Sequence, residues 1–238
     1  RALGYLECPM PEKDCKGRTE AHWAASMGQV EVLGMLSDLG CPMAEKDNKG
    51  RTAAFMAAQE GQVATLRALS ELGCPMAEKD NEGRTAVFMA AQEGQVEALR
   101  ALSELGCPMA EKDDDGYTAA FVAAQEGQVA ALRALSELGC PMAEKDNEGY
   151  TAAFVAADKG QVAALRALSE LGCPMAEKSC KGRTAAFVAA HEGQVEALRA
   201  LSDLGCPMAE KDKEGCTAAF AAAHNGQVET LGALSDLG

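Results

Sequence analysis

A 33-residue period governs this chain. Residues 149–160 read GYTAAFVAADKG, residues 116–127 read GYTAAFVAAQEG, and residues 182–193 read GRTAAFVAAHEG. Self-similarity at that length points to one supersecondary unit stacked on copies of itself, because so small a unit cannot bury its apolar face alone. Seven copies begin at Asp14, Asp47, Asp80, Asp113, Asp146, Ser179 and Asp212. Ahead of them RALGYLECPMPEK matches only the tail of a copy, and the seventh copy stops at Gly238 before a Cys-Pro-Met of its own. The expectation is a single array over 1–238, with 1–13 as the tail of a preceding repeat. The chain starts without an initiator methionine and reads as a fragment of a longer polypeptide or a processed product.

The third copy, DNEGRTAVFMAAQEGQVEALRALSELGCPMAEK, shows what one unit does. Asp-Asn-Glu-Gly is turn chemistry, with Gly83 supplying a permissive φ. Thr85 stands where a helix N-cap belongs, its hydroxyl placed to accept from first-turn amides. A helix over AVFMAAQE should end at Gly94. A second helix from about Val96 to Leu105 carries Val96, Leu99, Leu102 and Leu105 on one face at i, i+3 steps. Gly106 and Pro108 stop it. Helices this short do not persist alone in water, so stacking has to hold them, and the recurring Ala-Ala (Ala90-Ala91) allows close approach.

Composition narrows the function classes. The net charge is −14, which argues against a nucleic-acid binder, since such proteins need basic surface to displace condensed counterions. No apolar stretch approaches the roughly 18 to 20 residues that span a bilayer, so membrane insertion is not expected. The ten cysteines do not look like a disulfide framework. Cys8, Cys41, Cys74, Cys107, Cys140, Cys173 and Cys206 each precede Pro-Met. If each repeat is one helical layer, equivalent cysteines lie about 8 to 10 Å apart, beyond the roughly 7 Å Cα separation a disulfide tolerates. Reduced thiols in this number suit an intracellular, cytoplasmic setting.

The string D-x-x-G-x-T, then A-A-x-x-G, then V-x-x-L-x-x-L-x-x-x-G resembles the ankyrin repeat, seven times over. The resemblance implies an all-α, helix-turn-helix solenoid with hairpin-like β-turn loops. Departures recur. The family's Thr-Pro-Leu-His is Thr-Ala-Ala-Phe in most copies, and only Thr19-Glu20-Ala21-His22 keeps the histidine. Gly-His becomes Gly-Gln (Gly94-Gln95), and Gly-Ala-Asp becomes Gly-Cys-Pro. The histidine's loss removes a group that ties neighbouring turns together. Phe55, Phe88, Phe121, Phe154, Phe187 and Phe220 fill its slot, read here as an apolar spine.

No active site is legible, and no catalytic residue, cofactor or metal is expected. Asp158, His191 and His224 share one repeat position, but at a layer spacing near 10 Å they cannot share an ion with bonds near 2 Å. Cys8/Cys15 and Cys173/Cys180 are seven apart across a turn and read as packing or exposed thiols. The methionines after each Cys-Pro, Met43 to Met208, read as packed loop residues.

Comparison among copies separates stacking from contact. Threonine, Ala-Ala, Gly-Gln-Val and the leucines barely change, whereas the residues around the turn glycine and the pair closing the first helix vary. In ankyrin arrays these variable positions line the concave groove. The residue after the turn glycine runs Arg18, Arg51, Arg84, Tyr117, Tyr150, Arg183, Cys216, and Arg and Tyr are enriched at interface hot spots. Neutral drift of an exposed site is the alternative. The groove positions are nearly neutral in sum, acidic in the middle and basic towards one end.

The expectation is a non-catalytic protein-interaction module. Its anchors are Tyr117 and Tyr150, flanked by Arg51, Arg84 and Arg183. Asp114, Asp115 and Glu126 supply acidity, and Gln125, Asp158, Lys159 and His191 complete the surface. The acidic surround favours a partner segment carrying lysine or arginine. Two other classes stay open: a structural spacer or scaffold subunit in a larger assembly, and a regulatory array of a longer enzyme.

Overall fold

The computed structural model describes residues 13–237. The expected tail of a preceding repeat, and Cys8 with it, falls outside the described residues except for Lys13. The chain divides into two compact units, Arg1–Asp114 and Asp115–Gly238. Unit 1 contains α1 (Glu20–Ser26), α2 (Val30–Asp38), α3 (Ala53–Gln59), α4 (Val63–Glu71), α5 (Ala86–Gln92) and α6 (Val96–Glu104). Unit 2 contains α7 (Ala119–Gln125), α8 (Val129–Glu137), α9 (Ala152–Asp158), α10 (Val162–Glu170), α11 (Ala185–His191), α12 (Val195–Asp203), α13 (Ala218–His224) and α14 (Val228–Leu237). The described residues contain no strand, and the class is all-α, as the period implies.

Each unit is built in two layers. In unit 1 the inner helices α1, α3 and α5 stack in sequence, as do the outer helices α2, α4 and α6. Unit 2 repeats the pattern with α7, α9, α11 and α13 inside and α8, α10, α12 and α14 outside. Alanine makes this possible: Ala90, Ala123, Ala156 and Ala189 are fully buried, so one helix backbone approaches the next. The outer helices bury Leu99 with Leu102, Leu132 with Leu135, and Leu165 with Leu168 completely, each worth about 1.5–3 kcal/mol. Val96 and Leu105 lie at the edge of that stripe rather than in it, because Ala98 and Ala101 take the adjoining buried positions.

The turns interlock through the backbone. In unit 1 the amides of Asn48, Asn81 and Asp114 donate to the carbonyls of Lys16, Lys49 and Glu82 at 3.0, 2.9 and 3.1 Å. In unit 2 the amides of Asn147, Cys180 and Lys213 donate to Asp115, Glu148 and Lys181 at 3.2, 2.8 and 3.0 Å. The Gly-Gln variant contributes a second tie. Gln161 Nε2 donates to the carbonyl of Gln125 and Gln194 Nε2 to that of Asp158, both at 3.1 Å. Each bond satisfies a carbonyl at the end of the preceding inner helix, which has no partner inside its own helix.

The missing histidine leaves a visible mark. In α1, His22 accepts from the Thr19 amide at Nδ1 (3.2 Å), and its Nε2–H donates to the Arg51 carbonyl at 2.9 Å. Where phenylalanine takes the slot, the hydroxyls of Thr52, Thr118 and Thr151 are buried without a hydrogen bond. The N-cap bond expected from this threonine is present at Thr184 and Thr217, which accept from Phe187 and Phe220 at 3.3 Å. Phe55, Phe88, Phe121, Phe154 and Phe187 are buried, as a spine requires, but Phe220 is 55% exposed because no further helix pair covers α13 among the described residues.

The Cys-Pro-Met cysteines sit beside these helix N-termini. Cys74, Cys107, Cys140, Cys173 and Cys206 are free and buried. Burial pushes the Cys140 thiol up to about 11, against a smaller opposing pull from the Ala120 amide and the Thr118 hydroxyl. One member corrects the expectation of a reduced ladder: Cys41 is disulfide-bonded. Cys41 stands in the loop after α2, not on a helix axis. Loop-to-loop distance is not set by helix packing, and the argument for a cytoplasmic setting loses that support. Met43, Met76, Met109, Met142 and Met175 are buried loop residues, as expected.

Candidate functional site

The variable position after the turn glycine is governed by the aspartate four residues before it. In unit 1, Asp47 Oδ1 accepts from the amides of Lys49 and Arg51, both at 2.9 Å, which leaves Oδ2 for a side chain. Arg51 takes it with Nε at 2.9 Å and Nη2 at 2.8 Å. Arg84 closes on Asp80 in the same way, at 3.0 and 2.8 Å, and also meets Glu82 at 2.9 Å. Burial opposes the charge on Asp47, but Arg51 and the two amides hold its carboxyl below the usual range. Arg51 and Arg84 therefore lie folded onto their own turns with about a fifth of each side chain exposed. Arg51 borders a unit 1 cavity of about 530 Å³ together with Met56, Gln59 and Glu60.

Unit 2 handles the same position differently. The Tyr117 ring stacks on Phe121 at 5.1 Å, and the Tyr150 ring tilts onto Phe154 at 5.0 Å. Both tyrosines are half-buried. Asp146 still accepts from the amides of Glu148 and Tyr150, at 2.9 and 2.8 Å, but no guanidinium reaches it. Without that cation, burial pushes the Asp146 carboxyl up. In the next turn Ser179 replaces the aspartate, and its hydroxyl accepts from the Arg183 amide at 3.3 Å. The Arg183 guanidinium lies 4.8 Å over the Phe187 ring. Its Nε is 3.5 Å from Asp212 Oδ2 and is buried without a hydrogen bond.

These side chains border a cavity of about 360 Å³ in unit 2. Of the residues singled out from sequence, it brings together Tyr117, Gln125, Tyr150, Asp158, Lys159, Arg183 and His191. Glu126 and Asp115 are exposed in the same unit but outside this lining, and Arg51, Arg84 and Asp114 belong to unit 1. Phe154, Val155, Phe187, Val188 and Glu192 also line the cavity. The two phenylalanines read from sequence as spine alone. The valines could have been found, since Met56, Met89, Val122, Val155, Val188 and Ala221 form another variable series. Polar groups at the helix ends pair locally: Lys159 with Asp158 at 2.8 Å, and His191 Nδ1 with Glu192 at 2.6 Å.

The chemistry on offer is contact chemistry. Asp158 and His191 pair with their own neighbours, and His224 stacks on Phe220 at 6.4 Å, so the three do not converge. Among the described residues one trio, Asp212, Glu214 and Cys216, has ligand atoms within 4.8 Å of one another. Its geometry is the ordinary turn, with Asp212 Oδ1 accepting from the amides of Glu214 and Cys216 at 2.9 Å. No helix among the described residues is long and apolar enough to cross a membrane.

Comparison with known proteins agrees with this architecture. The family model described as ankyrin repeats (3 copies) matches residues 21–113, 105–177 and 171–238. No curated protein matches the chain. Among solved structures, the crystal structure of the human ASB11 ankyrin repeat domain is similar, with a TM-score of 0.82 at 22% identity, covering 93% of this chain and 98% of that one. At that identity the likeness is one of fold.

Proposed function

This chain belongs to the ankyrin-repeat family, and from that premise we propose that it is a non-catalytic module that takes a partner protein segment into the Tyr117–Tyr150 cleft of unit 2. Repeats of this family generally serve protein–protein interaction. The observation that carries the assignment to this cleft is the exchange at one position. Arg51 and Arg84 neutralise the aspartate of their own turns. Tyr150 gives that ion pair up and presents a half-buried aromatic ring beside a 360 Å³ cavity. A local rule broken at a recessed surface marks contact with something else. Two rigid aromatic rings supply contact area at low entropic cost. The exposed carboxylates Asp115, Glu126 and Glu148 around them favour lysine or arginine in the flanks of that segment.

A spacer or scaffold reading draws on a different feature, the regular ladder of exposed ion pairs such as Lys145–Glu177 and Lys178–Glu210, both at 2.7 Å. Those pairs contribute little stability each and repeat without regard to the cleft.

The test exploits the chain's own variation. Tyr117→Arg with Tyr150→Arg installs the residue that unit 1 carries, and the new guanidinium at 150 has Asp146 to close on. Folding should be unchanged or slightly improved. A random octapeptide display library panned against the full chain should yield an enriched peptide family that the double variant fails to bind. A control Arg133→Gln change on the outer helix α8 should bind it normally. Equal binding by the double variant would remove the cleft from consideration.

A further inference from the structure

Two neighbouring turns of unit 2 carry opposite charge that neither cancels internally. The turn 146–150 reads DNEGY, with Asp146 and Glu148 and no cation, whereas 179–183 reads SCKGR, with Lys181 and Arg183 and no anion. They are joined by the Cys180 amide donating to the Glu148 carbonyl at 2.8 Å. Lys181 Nζ and Glu148 Oε2 are 3.9 Å apart, at the limit of an ion pair. In unit 1 the first and fifth positions cancel within each turn, Asp47 with Arg51 and Asp80 with Arg84, which leaves only the third, Lys49 or Glu82.

The serine at 179 therefore releases a guanidinium. Arg183 has five N–H donors in a planar fork. Its nearest carboxylate is Asp212, whose Oδ1 is taken by two backbone amides and whose Oδ2 stands 3.5 Å from Nε, a long ion pair that helps hold the Asp212 carboxyl below its usual range. Nε makes no hydrogen bond. Phe187 supports one face of the guanidinium. Of the other charged cleft residues, Lys159 pairs with Asp158, and Glu192 meets His191 Nδ1. Arg183 is thus the cleft-lining cation with the longest ion pair, made through Nε alone at 3.5 Å.

We propose that Arg183 receives a side-chain carboxylate, from Asp or Glu, of the protein segment held in the cleft. This rests on the reading of the cleft as the partner site and adds the partner's polarity to it. The acidic residue of the segment meets the 179–183 turn, and any basic residue meets the 146–150 turn, so the two turns fix the direction in which the segment lies. With Asp212 at 3.5 Å, the local field suits a singly charged carboxylate better than a doubly charged phosphate.

The experiment pans the same random octapeptide library against the full chain and against Arg183→Glu and Arg183→Gln, each checked for an unchanged melting curve. Wild-type selections should hold an acidic residue at one fixed position. Peptides with that residue changed to its amide should bind about 10-fold more weakly to wild type and no more weakly to Arg183→Gln. Arg183→Glu should select lysine or arginine at that position. Selections that depend on Tyr150 but show the same preference in wild type and Arg183→Glu would overturn the carboxylate contact and leave the cleft standing. Selections indifferent to Tyr150, or no enrichment at all, would overturn both.

Discussion

At the scale of single residues, the exchange of histidine for phenylalanine propagates to its neighbours. The Thr19 amide donates to His22, but Thr151 faces a phenylalanine, and its buried hydroxyl has no nitrogen or oxygen partner. The Cys173 sulfur lies near that hydroxyl, and burial of the thiol outweighs the hydroxyl's pull on it. Thr184, at the same position one repeat later, accepts from the Phe187 amide at 3.3 Å. The two threonines should therefore respond oppositely to an isosteric apolar replacement. Thr151→Val removes an unsatisfied buried group and should be neutral or stabilising. Thr184→Val removes an N-cap bond and should cost about 1 kcal/mol. Urea unfolding of the two variants decides this, and equal losses would show that Thr151 has a partner after all.

At the scale of the element, the turn depends on glycine most where a neighbour crowds it. Gly116 has φ +87°, and a Cβ there would lie 2.7 Å from Asn147 Oδ1 and 2.9 Å from the Asn147 backbone nitrogen. Gly139, after α8, has φ +84° but nothing within 4 Å of such a Cβ. Gly139→Ala should cost about 1 kcal/mol, from backbone strain alone. Gly116→Ala should cost about 3 kcal/mol, since the interlocking turn must also shift. The ratio of the two losses in denaturant melts is the measurement; equal losses would mean that the turn yields freely. Asn147 is bound to the carbonyl of Asp115 through its amide, so the neighbour that must move is itself a stacking contact.

At the scale of the whole molecule, the buried thiols link stability to pH. Burial pushes Cys107 and Cys140 from 9.0 up to about 11, and raises Cys74, Cys173 and Cys206 as well. A thiol raised in the folded state favours folding fully below its unfolded pKa and loses that contribution as pH rises through the folded value. Between about pH 9 and 11 each such thiol should take away up to about 1.4 kcal/mol per pH unit. Melting temperature followed by circular dichroism from pH 8 to 10.5 should fall more steeply for the wild type than for Cys107→Ala/Cys140→Ala. Parallel curves would place these cysteines in contact with solvent.

The sequence by itself determined the repeating unit and its all-α class, because both follow from local rules: period, turn glycine, helix-stopping proline, leucines at helical spacing. The same locality made Tyr117 and Tyr150 visible as departures from Arg51 and Arg84. What those departures meant could not be read locally. That Arg51 closes on Asp47 depends on where a side chain four residues away points, and that Arg183, with Ser179 there instead, reaches Asp212 only at 3.5 Å depends on how the next turn stacks. That Phe187 both fills the spine and supports Arg183 depends on helix α11 meeting the turn before it. The linear chain lists donors and acceptors; only the tertiary structure decides which are already consumed, and a binding surface is what remains when that pairing is done.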